Sequence, residues 1–124
     1  VDEQQLEMNA QQLEAAEMKK KNENKVKAIR SELMKKIDKK SKVQTEKVDR
    51  YINLVEIYYM LDLTIKQDGV MITTENGSQK FTKPNPAIAE KNKVNSSLIA
   101  LGKDLGLSAP VPLGGSDDDK SELV

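Results

Sequence analysis

The residues best placed to do chemistry in this chain are cationic. KKIDKKSK, residues 35–42, sets five lysines against one aspartate, and Lys47 and Arg50 follow shortly after. Ammonium groups clustered on an exposed helix neutralise the phosphates of a polyanion, an interaction that needs no base-specific geometry. Lys35, Lys36, Lys39, Lys40, Lys42, Lys47 and Arg50 are therefore the candidate binding residues, with Lys19–Lys21, Lys25, Lys27 and Arg30 extending the block. The competing reading is a solvated face paired internally with Glu23, Glu32, Asp38 and Glu46. Aromatic residues are not interleaved with the bases, which argues against stacking on single strands. No helix-turn-helix signature with a tight glycine turn stands out, although the junction at 38–45 could serve as one.

Other chemistry is sparse. The chain contains no cysteine and no histidine, so it lacks thiolate ligands, a cysteine nucleophile and the commonest general base. Asp117, Asp118 and Asp119 are consecutive acids in a Gly/Ser tail, where solvation is the ordinary fate and a metal site is not expected. Tyr51, Tyr58 and Tyr59 recur at helical spacing and read as core or subunit contact. Glu90 faces a helix dipole rather than a substrate. Gly102 and Gly106 lack the strand-to-helix context and the Lys-Ser/Thr ending of a phosphate loop. No catalytic constellation, cofactor site or metal site emerges, and the expectation is a protein that is not an enzyme.

Among the 124 residues, 37% are hydrophobic and 3% aromatic, with one Phe, three Tyr and no Trp. Such a thin apolar supply predicts a small domain that leans on an oligomer. The net charge is zero but segregated. Residues 1–18 carry five acids and no bases, residues 19–50 thirteen bases against five acids, and residues 51–124 seven bases against ten acids. That asymmetry speaks to partners more than the total does. No apolar run approaches the roughly 20 residues that span a bilayer. The acidic, polar start does not read as a signal peptide, so a soluble, intracellular protein is expected.

These residues must be positioned by helices. Residues 3–40 hold no Gly or Pro and are rich in helix formers. Leu6 and Leu13, then Val26, Ile29, Leu33 and Ile37, draw a narrow amphipathic stripe, with KKKNENK as a weak point or break between two pieces. Ser41 and Thr45 are alternative N-caps for a second helix from about Glu46 to Gln67, the most apolar segment, which stops at Asp68-Gly69. Asn76-Gly77 between β-branched runs predicts a hairpin, pairing Glu75 with Ser78, Thr74 with Gln79 and Ile72 with a buried Phe81. Asn85-Pro86 opens a third helix whose seam is Ala87, Lys91, Val94, Leu98, Leu101 and Leu105, closed by Gly106 with Leu107 folded back. The fold class is mainly α, with three to four helices: a long basic N-terminal helix, an apolar central helix and a C-terminal helix. One short β-hairpin lies between the last two. The expected divisions are a charged helical region over 1–44, a helix–hairpin–helix core and oligomerisation region over 45–108, and a flexible acidic tail over 109–124.

Three stretches together carry a family resemblance: YINLVEIYYMLDLTIKQDGVMI, NGSQKFTKPNPAI and SSLIALGKDLGLS. Their order and spacing, over nearly half the chain, resemble the small terminase subunit of tailed bacteriophages, in the family associated with cohesive-end packaging. One departure is Ser108-Ala109-Pro110-Val111-Pro112, which lacks the arginine that often follows in that family, so no role of that arginine is carried over. The resemblance implies a non-catalytic factor of viral genome packaging and virion assembly that forms a ring-like homo-oligomer in the host bacterial cytoplasm. It would bind double-stranded viral DNA, with Lys35 to Arg50 on the phosphates, and deliver it to the large ATPase and nuclease subunit. The central helix, third helix and hairpin would pack subunit against subunit, and the acidic tail would contact the large subunit. The reading from another class is a helical scaffold or adaptor whose basic block binds an acidic protein partner.

Overall fold

A computed structural model describes residues 2–107 of the chain; the expectations for the tail at 109–124 lie outside them. Three helices and a hairpin follow one another as α1 (Glu3–Lys36), α2 (Lys42–Asp68), β1 (Met71–Asn76), β2 (Gln79–Pro84) and α3 (Pro86–Asp104). The mainly helical class and the position of the hairpin are as the sequence predicts.

α1 is continuous through KKKNENK rather than broken there. Asn is only a few tenths of a kcal/mol poorer in a helix than lysine or glutamate, and neither Gly nor Pro interrupts the run. The inward-facing stripe also crosses the segment without a gap, since Ala15, Met18, Asn22, Val26, Ile29, Leu33 and Ile37 are its less exposed positions. Leu6 and Leu13 lie off that stripe and are exposed. α1 and α2 form an antiparallel hairpin: Arg30 pairs with Asp49 at 2.7 Å, Lys25 sits 5.9 Å from the Tyr59 ring, and Met18 and Leu63 share a groove.

The shared core is small. Leu33, Val48 and Ile52 are its buried centre, with Val26, Ile29, Met34, Ile37, Tyr51, Leu105 and Leu107 packed around it. α3 lies on a different face of α2, along the seam from Ala87 to Leu105. Lys91 interrupts that apolar seam legitimately, because its ammonium pairs with Asp62 and lies 4.9 Å from the Tyr58 ring. α3 ends in a Schellman arrangement: Leu107 N–H donates to the Gly102 carbonyl at 2.8 Å, Gly106 N–H to the Lys103 carbonyl at 3.0 Å, and Gly106 takes φ +80°. That turn swings Leu107 back onto the core.

The hairpin forms in a different register from the one expected. Asn76 pairs with Gln79, Glu75 with Lys80, Thr74 with Phe81 and Ile72 with Lys83. Gly77-Ser78 is the turn, with Gly77 at φ +66°, and a primed turn accepts glycine at its first central position. The cross-strand partners fit this register, since Glu75 and Lys80 lie 3.5 Å apart and the Thr73 and Thr82 hydroxyls 3.4 Å apart. A two-residue slip leaves every side chain on its face, so Ile72 and Phe81 still share one. Phe81 is nonetheless 50% exposed rather than buried, because the two-stranded sheet has no third strand and its strands contact chiefly each other.

Asn85 fixes the corner between these parts. It is only 5% exposed and satisfies three groups at once. Its backbone N–H donates to the Val70 carbonyl at 2.8 Å, its Nδ2 to the Gly69 carbonyl at 2.9 Å, and its Oδ1 accepts from Ala87 N–H at 3.0 Å. The end of α2, the base of the hairpin and the start of α3 are thus tied through one residue.

Candidate nucleic-acid interface

The basic octapeptide forms the closed end of the α1–α2 hairpin. Lys35 and Lys36 occupy the last turn of α1, where cations complement the helix dipole. Ile37 leaves the helix in an extended conformation and keeps its side chain on the core. A turn from Asp38 to Ser41 follows, closed by Ser41 N–H donating to the Asp38 carbonyl at 3.0 Å. The Asp38 carboxylate accepts from Lys40 N–H at 3.0 Å, and Asp38 N–H donates to Gln44 Oε1 at 2.9 Å. An aspartate opening a turn in this way is a local preference of the residue. It leaves Lys39 and Lys40 at the tip, and both are exposed.

Ser41, not Thr45, caps α2. Ser41 Oγ accepts from Gln44 N–H at 3.3 Å, whereas Thr45 Oγ1 donates back to the Ser41 and Lys42 carbonyls at 3.1 Å each. The helix therefore begins at Lys42, one turn before the expected Glu46. That places Lys42 in the positive first turn of α2, beside Lys39 and Lys40. The junction is consequently the bend of a long antiparallel helical hairpin, not a helix-turn-helix with a recognition helix crossing its neighbour.

The seven candidate residues fall into two groups. The ammonium groups of Lys35, Lys39, Lys40 and Lys42 have no carboxylate within 4.0 Å among the described residues, and each residue is exposed. Lys36 lies 3.7 Å from Glu32, a loose pair on the α1 surface. Lys47 and Arg50 are committed elsewhere. Lys47 reaches Asp104 at the far end of α3, at 2.8 Å, and Arg50 Nε lies 2.9 Å from Glu46 one turn earlier. The hydrogen bond to Glu46 and its charge hold the Arg50 guanidinium further above its already high value. The seven look alike in the sequence because a pairing between α2 and the end of α3 leaves no local signal.

Five lysines and one aspartate within residues 35–42 give this tip a net charge of +4. Its ammonium groups are spread over a helix end, a turn and a helix start, so they present several separated contacts along a polyanion rather than one pocket. Among the described residues no three acidic side chains are grouped to hold a metal ion, and no helix is long and apolar enough to cross a membrane.

No curated protein and no solved structure matches the chain significantly. The sequence profile of the family described as phage terminase, small subunit, matches residues 27–110, well over half of the chain. The match starts within α1 and takes in the basic turn, α2, the hairpin, the Asn85 corner and α3. The chain therefore belongs to the phage terminase small-subunit family, and so to the machinery of phage genome packaging.

Proposed function

We propose that this protein is a non-catalytic packaging-initiation factor that binds double-stranded viral DNA through the α1–α2 turn and delivers it to the large terminase subunit. Lys35, Lys39, Lys40 and Lys42 make the principal phosphate contacts, Lys36 joins them, and Lys47 and Arg50 contribute at the margin. The observation that carries the reading is the set of four exposed lysines at one end of the α1–α2 hairpin whose ammonium groups have no carboxylate partner among the described residues. Steering by such a field also speeds encounter with DNA.

Self-association into a ring-like homo-oligomer completes the proposal. With only five buried apolar side chains among the described residues, the protein leaves much apolar surface uncovered, including Val70 and Met71 at the base of the hairpin, Phe81 on its second strand and Ile99 on α3. α2, α3 and the hairpin supply the subunit contacts, and the site of action is the host cytoplasm, where DNA and large subunit meet.

The test is a titration of the phage's own packaging-site DNA at two salt concentrations, with wild type and with Lys35, Lys36, Lys39 and Lys40 all changed to Glu. Binding by wild type that weakens with salt, and is abolished in the variant, is expected. Unchanged affinity and salt dependence in the variant would sink the assignment. Light scattering on the same samples gives the oligomer mass, and a DNA-indifferent monomer would favour an adaptor that binds an acidic protein.

A further inference from the structure

Among the described residues, no carboxylate in the acidic first turns of α1 pairs with a cation. Every residue from Asp2 to Glu14 is exposed, a stretch of roughly 18 Å of helix at 1.5 Å per residue. Leu6, Asn9, Leu13 and Ala16 recur at spacings of three and four, and so share a face. Leu6 and Leu13 on that face are 57% and 62% exposed. Glu3, Glu7, Glu14 and Glu17 flank it on one side, and glutamines on the other. The face points away from the α1 stripe that packs on α2, so α2 does not cover it.

A groove of about 620 Å³ runs between α1 and α2. Its apolar lining is Val26, Tyr59, Met60 and Leu63, and it also takes in Asn22. Asn22 is only 9% exposed, and its side-chain amide has no hydrogen-bond partner among the described residues. A buried amide without a partner is unfavourable by about 1–3 kcal/mol, so its presence points to an occupant that supplies one. Lys19, Glu23 and Lys27 stand on the α1 wall of the groove, Asn53 and Glu56 on the α2 wall.

We propose that the first turns of α1 from one copy lie in the α1–α2 groove of a second copy. Leu6 and Leu13 rest on Val26, Tyr59, Met60 and Leu63, and the Asn9 amide, between the leucines, bonds to Asn22. A single buried amide pair of this kind sets the register of helix packing. The glutamate flank meets the α1 wall, where Lys19 and Lys27 bracket Glu23, and the glutamine flank meets Asn53 and Glu56. Charge complementarity identifies the occupant. Residues 1–18 hold five acids and no base, and the α1 wall of the groove sets Lys19 and Lys27 against the single Glu23, so the glutamate flank suits that wall across copies. The segment precedes the family match at 27–110. The inference rests on self-association but not on DNA binding.

Three measurements on the full chain test it. Leu6→Gln with Leu13→Gln keeps the charge and the helix propensity, and the expected result is association at least roughly tenfold weaker per leucine with unchanged helix content. The chain has no cysteine, so mixing a Leu13→Cys chain with a Met60→Cys chain under oxidation is expected to give a cross-linked dimer. Ile99→Cys in place of Met60→Cys serves as the exposed control. Unchanged assembly mass in the glutamine variant, or cross-linking no better than the control, overturns the docking while leaving self-association intact. A wild-type chain that is monomeric at all concentrations overturns both.

Discussion

Neutralising the unpaired lysines and neutralising the paired cations should give different salt dependences. Consider Lys35, Lys39, Lys40 and Lys42 all changed to Gln, compared with Lys47→Gln plus Arg50→Gln. Each phosphate neutralised contributes about 0.9 to the slope of log affinity against log salt. Four free ammonium groups per bound copy should therefore lower the slope by about 3.6. Between roughly 50 and 200 mM salt that amounts to about two decades of salt-dependent affinity. Lys47 must first leave Asp104 and Arg50 must leave Glu46, at 2.8 and 2.9 Å, so the second variant should lower the slope by less than about 1. Fluorescence anisotropy with a labelled packaging-site duplex, titrated at four or more salt concentrations, measures both slopes. A quadruple variant with the wild-type slope would refute the reasoning. So would a double variant that carried most of the loss, because pairing would then say nothing about which cations are free to bind.

Three further outcomes follow from the packing. Asn85→Ala leaves the Gly69 carbonyl and the Ala87 N–H without their partner, and should lower stability by about 2–3 kcal/mol in urea unfolding; Asn85→Ser, which keeps a capping oxygen without setting a carboxylate against the Gly69 carbonyl, should lose less. A Cβ built on Gly102 would lie 3.7 Å from both Leu107 Cδ1 and Tyr51 Cε2, ordinary contact distances, so Gly102→Ala should stabilise the chain by up to about 1 kcal/mol through helix propensity. Gly102→Leu should destabilise it by prising Leu107 off Tyr51; a destabilised alanine variant would show the contact to be tighter than described. The hydrogen bond to Asp62 raises the Lys91 ammonium above its ordinary value of 10.5, against partial burial and aided by the Asp62 charge and by Tyr58. A raised folded-state value means that the contribution is complete below about pH 10.5 and lost as pH rises through the folded value. The stability difference between wild type and Lys91→Met should accordingly be flat from neutral pH to about 10 and shrink above it; a difference that grew at alkaline pH would reverse the sign of the coupling.

Much of the fold was legible because it is written in local chemistry. Ser41 and Asn85 cap helices through bonds to N–H groups two or three residues on. Gly106 closes α3 because it alone in that turn tolerates a positive φ, and the 4-3-4-3-4 spacing from Ala87 to Leu105 marks the face that turns inward. The basic cluster was legible for the same reason, since residues 35–42 are adjacent in the chain and a turn must expose them.

What the residues alone did not settle depends on partners distant in sequence. The register of the hairpin was decided by Glu75 against Lys80 and Thr73 against Thr82, together with the glycine at the first turn position. Phe81 is exposed because no further layer among the described residues covers it, a fact no alternation pattern contains. α1 runs unbroken because α2 supports its stripe across the asparagines. Lys47 is separated from its neighbouring lysines only by the arrival of Asp104 from the end of α3. Propensity, capping and charge density act within a turn or two and are therefore properties of the sequence. Burial, register and the freedom of a charge are set by what the folded chain brings alongside, and those the tertiary structure decided.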